Sequence, residues 1–208
     1  MPYLFKKDLE EITGEKAPGP LPTFSVFHVL RAIELIGEKP VGRNQLAENL
    51  KIGEGAIRTI VSRLKNANLI TTSKIGCKLT KEGSNLLKEY QSTIKKAQLG
   101  KNELTSADYS FAILIKDRGY KLKSGMEQRD AAVVRGAKSA TTITFKAGHL
   151  IIPSVSENLA EDFPTAAKQL LALLEPKEND VMVITSANTL EEAEMGGLAA
   201  AWTLLDDR

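Results

Sequence analysis

The sequence holds one cysteine, Cys77, and two histidines, His28 and His149, among its 208 residues. A lone cysteine excludes an internal disulfide and a cysteine-rich zinc site, and two imidazoles add too little for a structural metal centre, so no metal or cofactor is expected. Apolar runs are short. None nears the roughly 18 residues that span a bilayer, and the first eight, Met1-Pro2-Tyr3-Leu4-Phe5-Lys6-Lys7-Asp8, lack the basic, apolar and small-residue zones of a signal peptide. A cytoplasmic chain without a membrane partner is expected. Nucleophile elbow, phosphate loop, dinucleotide fingerprint and paired-histidine metal motif are all missing. Asp130 and His149 can be imagined as an acid and a base, but no spacing demands it, and the chain reads as a protein that is not an enzyme. It has no internal repeat and no low-complexity tract.

What is present is enough for one large or two small domains: 42% of residues are hydrophobic and 26% charged. The net charge of +2 conceals an asymmetry. Residues 39–101 carry 13 cations against four anions, whereas residues 157–208 carry three cations against 11 anions. A basic block joined to an acidic one argues for two modules with different partners, the basic one suited to a polyanion; two solvated faces of opposite sign are the alternative.

Residues 1–22 end in Ala17-Pro18-Gly19-Pro20-Leu21-Pro22, whose prolines deny helix and strand, so an N-terminal arm outside the core is expected. From Thr23 the apolar residues Val26, Val29, Leu30, Ile33 and Ile36 recur at helical spacing until Gly37 and Pro40. Residues 43–50 form a second short helix, closed by Lys51-Ile52-Gly53-Glu54-Gly55. A third helix is expected over about 54–68, where Ile57, Ile60, Val61 and Leu64 make one buried stripe. Residues 69–80 read as two short strands about a glycine turn, and Thr80 caps a fourth helix with the stripe Leu86, Leu87, Tyr90 and Ile94. The polar stretch 95–106, broken by Gly100, is the expected linker between a domain at 23–98 and one at 106–208.

The second half alternates. Strands are expected at 111–115, 141–145, 150–153 and 180–185, and helices at 126–136, from Pro164, and from the capping box Thr189/Glu192 through Trp202 and Leu205. This order is the split βαβ pattern of a ferredoxin-like sheet with one helix added; a small mixed α/β sheet of another topology stays open, because strand order cannot be read from strand sequence. The fold class is therefore α+β.

Three helices and a hairpin, the second and third helices joined by a short turn, resemble the winged helix-turn-helix regulators of bacteria and archaea. The resemblance rests on Arg43-Asn44-Gln45-Leu46-Ala47-Glu48-Asn49-Leu50, on Ile57-Arg58-Thr59-Ile60-Val61-Ser62-Arg63-Leu64, on Asn68-Leu69-Ile70, and on Gly76-Cys77-Lys78-Leu79-Thr80-Lys81-Glu82-Gly83, and covers roughly residues 23–94. Asn68 stands where many relatives have glycine, and asparagine tolerates the same left-handed backbone. The resemblance implies a DNA-binding module whose third helix enters the major groove.

Helical geometry points to the same face. At about 100° per residue the buried stripe lies opposite Gly55, Thr59, Ser62 and Asn66, with Arg58 and Arg63 on the flanks. Thr59 and Ser62 can touch base edges or methyls, Arg58 and Arg63 phosphates or a guanine, and Ser73, Lys74 and Lys78 of the wing the adjacent backbone or minor groove. Arg43 can reach a phosphate or simply serve the start of its helix. Double-stranded DNA is the expected partner, and a homodimer is expected because one small winged helix buries too little for tight specific binding. The alternative is a protein- or RNA-binding adaptor using the winged helix as a docking module. Cys77 reads as a small strand residue rather than a redox sensor, and His28 as packing or surface.

The C-terminal half resembles a domain without assigned function that follows winged helices in archaeal proteins, through Arg129-Asp130-Ala131-Ala132, Gly136-Ala137, Ala140-Thr141-Thr142 and Leu150-Ile151-Ile152-Pro153. Arg129, Arg135, Lys138, Thr141 and Thr142 sit near strand ends and can together hold an anionic small-molecule effector; solvated helix cations are the alternative. The helix start at Thr189, with Asn188, is a further anion candidate, although Glu191 and Glu192 already occupy it.

Overall fold

The computed structural model describes residues 3–14 and 23–205. The chain divides into two compact units, Met1–Ser92 and Thr93–Arg208.

The first unit opens with a helix, α1 (Leu4–Thr13), where an arm was expected. Phe5, Leu9 and Ile12 fall at i, i+4 and i+7 and are all buried, so this segment is core; Phe5 meets Tyr90 edge-on with centroids 5.8 Å apart. The proline-rich residues 17–22, which prompted the arm, lie outside the described residues. Then come α2 (Val26–Glu38), α3 (Arg43–Leu50), α4 (Glu54–Asn66), the antiparallel hairpin β1 (Ile70–Ser73) and β2 (Gly76–Leu79), and α5 (Lys81–Thr93). His28 does more than pack: its Nδ1 accepts the Ser25 N–H at 3.0 Å and closes the first turn of α2. The α4 stripe Ile57, Ile60, Val61 and Leu64 is buried as its spacing predicts. Asn68 adopts a left-handed backbone, φ 57°, in the turn into β1, and Thr80 caps α5 by accepting the Gly83 N–H.

The second unit begins at Thr93, the last residue of α5. Residues expected to connect the domains form β3 (Ile94–Leu99), paired antiparallel along its whole length with β4 (Tyr109–Ile115). An edge strand needs only one well-buried face. Lys95 and Lys96 therefore fit in it, pointing to opposite sides and ending on Glu175 and Glu194 respectively. After a 3-10 turn at Gly119–Lys121 follow α6 (Met126–Val134), β5 (Ser139–Lys146), β6 (His149–Ile151), α7 (Leu159–Asp162), α8 (Pro164–Leu174), β7 (Val181–Ala187) and α9 (Leu190–Thr203).

The sheet order is β3-β4-β7-β5-β6 and every neighbouring pair is antiparallel. The connections β4-α6-β5 and β6-α8-β7 are both split βαβ units, each with one strand between its ends. The ferredoxin-like option does not hold: it would set the first strand of this set beside the third, β4 beside β6, whereas the neighbours of β4 here are β3 and β7. The two faces have different coats. One buries Leu114, Ile143, Met182 and Ile184 against Leu170 and Leu174 of α8; α6 and α9 cover the other, where Gly197 lets the helix backbone approach Ile113 and Thr185. No helix among the described residues is long and apolar enough to cross a membrane.

Candidate nucleic-acid interface

In the first unit α3 and α4 meet through a tight turn that Lys51 closes in the left-handed region, φ 51°. The hairpin then folds back beside α4. A two-bond bridge between Val41 and Cys77 ties it to the chain before α3, at 2.9 and 3.2 Å. Gly76 is required there: its φ is +131°, and a Cβ would sit 2.8 Å from the Val41 carbonyl. The wing is thus held by backbone hydrogen bonds to the segment that leads into α3.

Between α3, α4 and the wing lies an open cleft of about 900 Å³. Its charged lining is entirely cationic: Arg43, Arg58, Lys65 and Lys74. Neutral hydrogen-bonding groups from Asn44, Gln45, Ser62, Thr72 and Ser73 separate them. Arg58 has one anionic neighbour, Glu54, at 3.4 Å; both side chains are largely exposed, so the pair is weak.

Of the ten residues proposed for DNA contact, Arg43, Arg58, Ser62, Ser73 and Lys74 line this cleft. Gly55, Thr59 and Asn66 are exposed on α4 outside it, and the Thr59 hydroxyl donates back to the Gly55 carbonyl at 3.0 Å. Lys78 is exposed but on the other face of the hairpin, because Cys77 faces the cleft and strand neighbours alternate. Ser73 also shapes the wing turn, accepting the Ile75 N–H and donating to the Gly76 carbonyl.

Arg63 is engaged elsewhere. Its Nη1 donates to the carbonyls of Ile12, Thr13 and Gly14 at 2.9, 2.8 and 3.0 Å, and its guanidinium stacks over Phe24. It satisfies the carbonyls that end α1, where helix geometry leaves them without partners and the dipole favours a cation. The expectation of a phosphate or guanine contact gives way to this role.

Sequence reasoning passed over Asn44, Gln45, Lys65, Thr72 and Ile75, all in the cleft lining. For Lys65 the signal was there, since Arg58, Ser62 and Lys65 fall at i, i+4 and i+7 on one face. Cys77 is a buried free thiol on β2, as a small strand residue would be. Burial pushes its thiol up, and the Arg43 charge, which pulls the other way, does not offset it.

The five residues suggested for an anionic effector are not brought to one place. Thr141 pairs with Ile184 and Thr142 with Val183, so the two threonines face opposite sides of the sheet. Arg129, Arg135 and Lys138 are exposed, and Arg129 bonds to its neighbour Asp130 at 2.9 Å.

A helix-turn-helix backed by a hairpin, with a cationic cleft between, defines the winged helix-turn-helix class of DNA-binding modules. The CggR N-terminal DNA-binding domain matches residues 25–94, and a domain of unknown function (DUF4443) matches residues 106–204. The chain is thus similar to a regulator's DNA-binding domain in its N-terminal part and to DUF4443 in its C-terminal part. It is 29% identical over 143 residues to the central glycolytic genes regulator of Bacillus subtilis (strain 168), a match covering 65% of this chain and 42% of that protein. The structure resembles the hypothetical protein PH0730 from Pyrococcus horikoshii OT3 with a TM-score of 0.71 and 28% identity, over 87% of this chain and 92% of the other.

Proposed function

We propose that the protein is a transcription regulator that binds double-stranded DNA through the cleft between α4 and the wing. The observation that carries this reading is the lining itself: four cations from three elements, no carboxylate, and hydroxyl and amide groups between them. On this reading Arg43, Arg58, Lys65 and Lys74 take phosphates on either side of a groove, while Ser62 and the exposed Thr59 of α4 face its floor. The family match at residues 25–94 and the regulator relative support the same reading. The relative's regulated genes are not carried over, since the chain spans 42% of its length. The C-terminal unit serves to pair two copies on two half-sites; the dispersal of Arg129, Lys138 and the two threonines gives no support to an effector site there.

Titration of duplex DNA at several salt concentrations tests this directly. Each phosphate contact adds about 0.9 to the slope of log affinity against log salt. Arg58→Ala with Lys65→Ala is expected to lower the slope by about two and to leave folding intact. An affinity that these changes leave untouched would overturn the assigned cleft.

A further inference from the structure

The wing turns on two residues, Lys74 and Ile75, between the paired ends Ser73 and Gly76 of β1 and β2. Turn positions favour glycine, asparagine, aspartate and serine, and a β-branched apolar residue is out of keeping there. Yet Ile75 is 75% exposed, the one isoleucine left exposed among the described residues. Its support is firm. The Ile75 N–H donates to the Ser73 hydroxyl, which donates in turn to the Gly76 carbonyl, each at 3.2 Å, and the Val41–Cys77 bridge anchors the strand that follows. A β-branched side chain is also stiff at χ1, so it has little freedom to lose when a partner buries it.

Ile75 lines the cationic cleft together with Lys74 of the wing and with Arg58, Ser62 and Lys65 of α4. On the DNA-binding reading, on which this inference rests, α4 occupies a major groove. A major groove is bordered by a sugar–phosphate strand, and beyond that strand the minor groove opens. The hairpin stands across the cleft from α4, so its tip falls on the minor-groove side. Lys74 then meets the bordering phosphates. Its neighbour Ile75 has no side-chain donor or acceptor with which to read base edges. Against the charged strand a hydrocarbon gains nothing; between two base pairs it is buried on both faces, while the step loses stacking and kinks.

We infer that Ile75 is an apolar wedge, which enters the minor groove beside α4, partly unstacks one base step and bends the bound duplex. Pyrimidine–purine steps unstack most readily, so the wedge favours such a step at its position without any base-specific hydrogen bond.

The test is ligase-catalysed ring closure of a duplex of about 120 base pairs, shorter than the persistence length of about 150. Its centre carries a site that the wild type retains from a random-sequence pool. A kink there speeds closure, and the wild type is expected to raise the rate at least about tenfold over free duplex. Ile75→Ser, an exposed change whose folding circular dichroism checks, is expected to lose that acceleration at saturating protein. Its salt slope should stay that of the wild type, because Ile75 meets no phosphate. Ile75→Leu, apolar and of the same size, is expected to keep the acceleration. Wild type that binds without faster closure, Ile75→Ser that closes rings as the wild type does, or Ile75→Leu that behaves as Ile75→Ser would each overturn the wedge alone. Failure to retain any duplex would instead overturn the DNA-binding reading, and the wedge with it.

Discussion

Arg58 and Arg63 are five positions apart on one helix, with similar flanking sequence, yet their surroundings give them opposite tasks. Arg58 is exposed in the cleft, whereas Arg63 closes the end of α1 through three carbonyls and stacks on Phe24. Arg63→Ala is expected to cost about 1–3 kcal/mol, since it removes a charged donor from otherwise unpaired carbonyls. Arg58→Ala is expected to stay within about 0.5 kcal/mol. Thermal melts of the two variants side by side check the difference. No sequence pattern carries the Arg63 role, because its acceptors lie some fifty positions earlier and only the packed fold brings them near.

Glu103 is a second residue whose work is local and titratable. Its carboxylate accepts the N–H groups of Thr165 and Ala166 at 3.0 and 2.9 Å and so caps the start of α8. Partial desolvation raises its pKa, but the hydrogen bonds from Thr165 and Ala166 outweigh it and hold the group at about 2, below the ordinary 4.5. A carboxyl depressed in the folded state stabilises fully above its unfolded pKa, and that contribution is lost as the pH falls through the folded value. Glu103→Gln is therefore expected to lower the melting temperature at pH 7. Its deficit should shrink between about pH 4.5 and pH 2. Melts across that range decide it; a deficit independent of pH would show that the carboxylate does not act through its charge.

At the scale of elements, legibility followed the strength of the period. The stripes of α2, α4 and α5 repeat apolar residues over three turns, and the hairpin has its glycine turn; each lies within two or three residues of its expected place, except that α5 gives way to β3 at Ile94. The two misread segments failed for different reasons. In α1 the Phe5, Leu9 and Ile12 period was present but was read together with the prolines that follow. In β3 an edge strand's solvated positions look like a linker, and only the pairing with β4 gives it away. The importance of α1 is measurable: Phe5 is fully buried, so Phe5→Ala is expected to destabilise the first unit by about 3–5 kcal/mol. Leu4, 64% exposed on the same helix, serves as the control, and Leu4→Ala should be near neutral. Denaturant unfolding compares the two, and equal effects would return α1 to the status of an arm.

Over the whole molecule, the charge asymmetry in the sequence maps onto the two units: the basic block falls mainly in the first and the acidic block wholly in the second. The winged-helix class was legible from its motifs. The strand order of the second unit was not, because antiparallel neighbours are chosen by packing on both sheet faces rather than by any one strand. The burial of α6 was not legible for a related reason: the sequence offers Met126, Val133 and Val134 to the core, yet Gln128 and Ala132 are the residues buried.

Binding to a mixed genomic duplex library across a salt series, followed by sequencing of what is retained, tests the central claim most directly. The expected result is an enriched site with two-fold symmetry, whose affinity falls with salt as several released counterions require. Absence of retention even at low salt would contradict a DNA-binding regulator, and retention without any enriched sequence would contradict specific readout by α4.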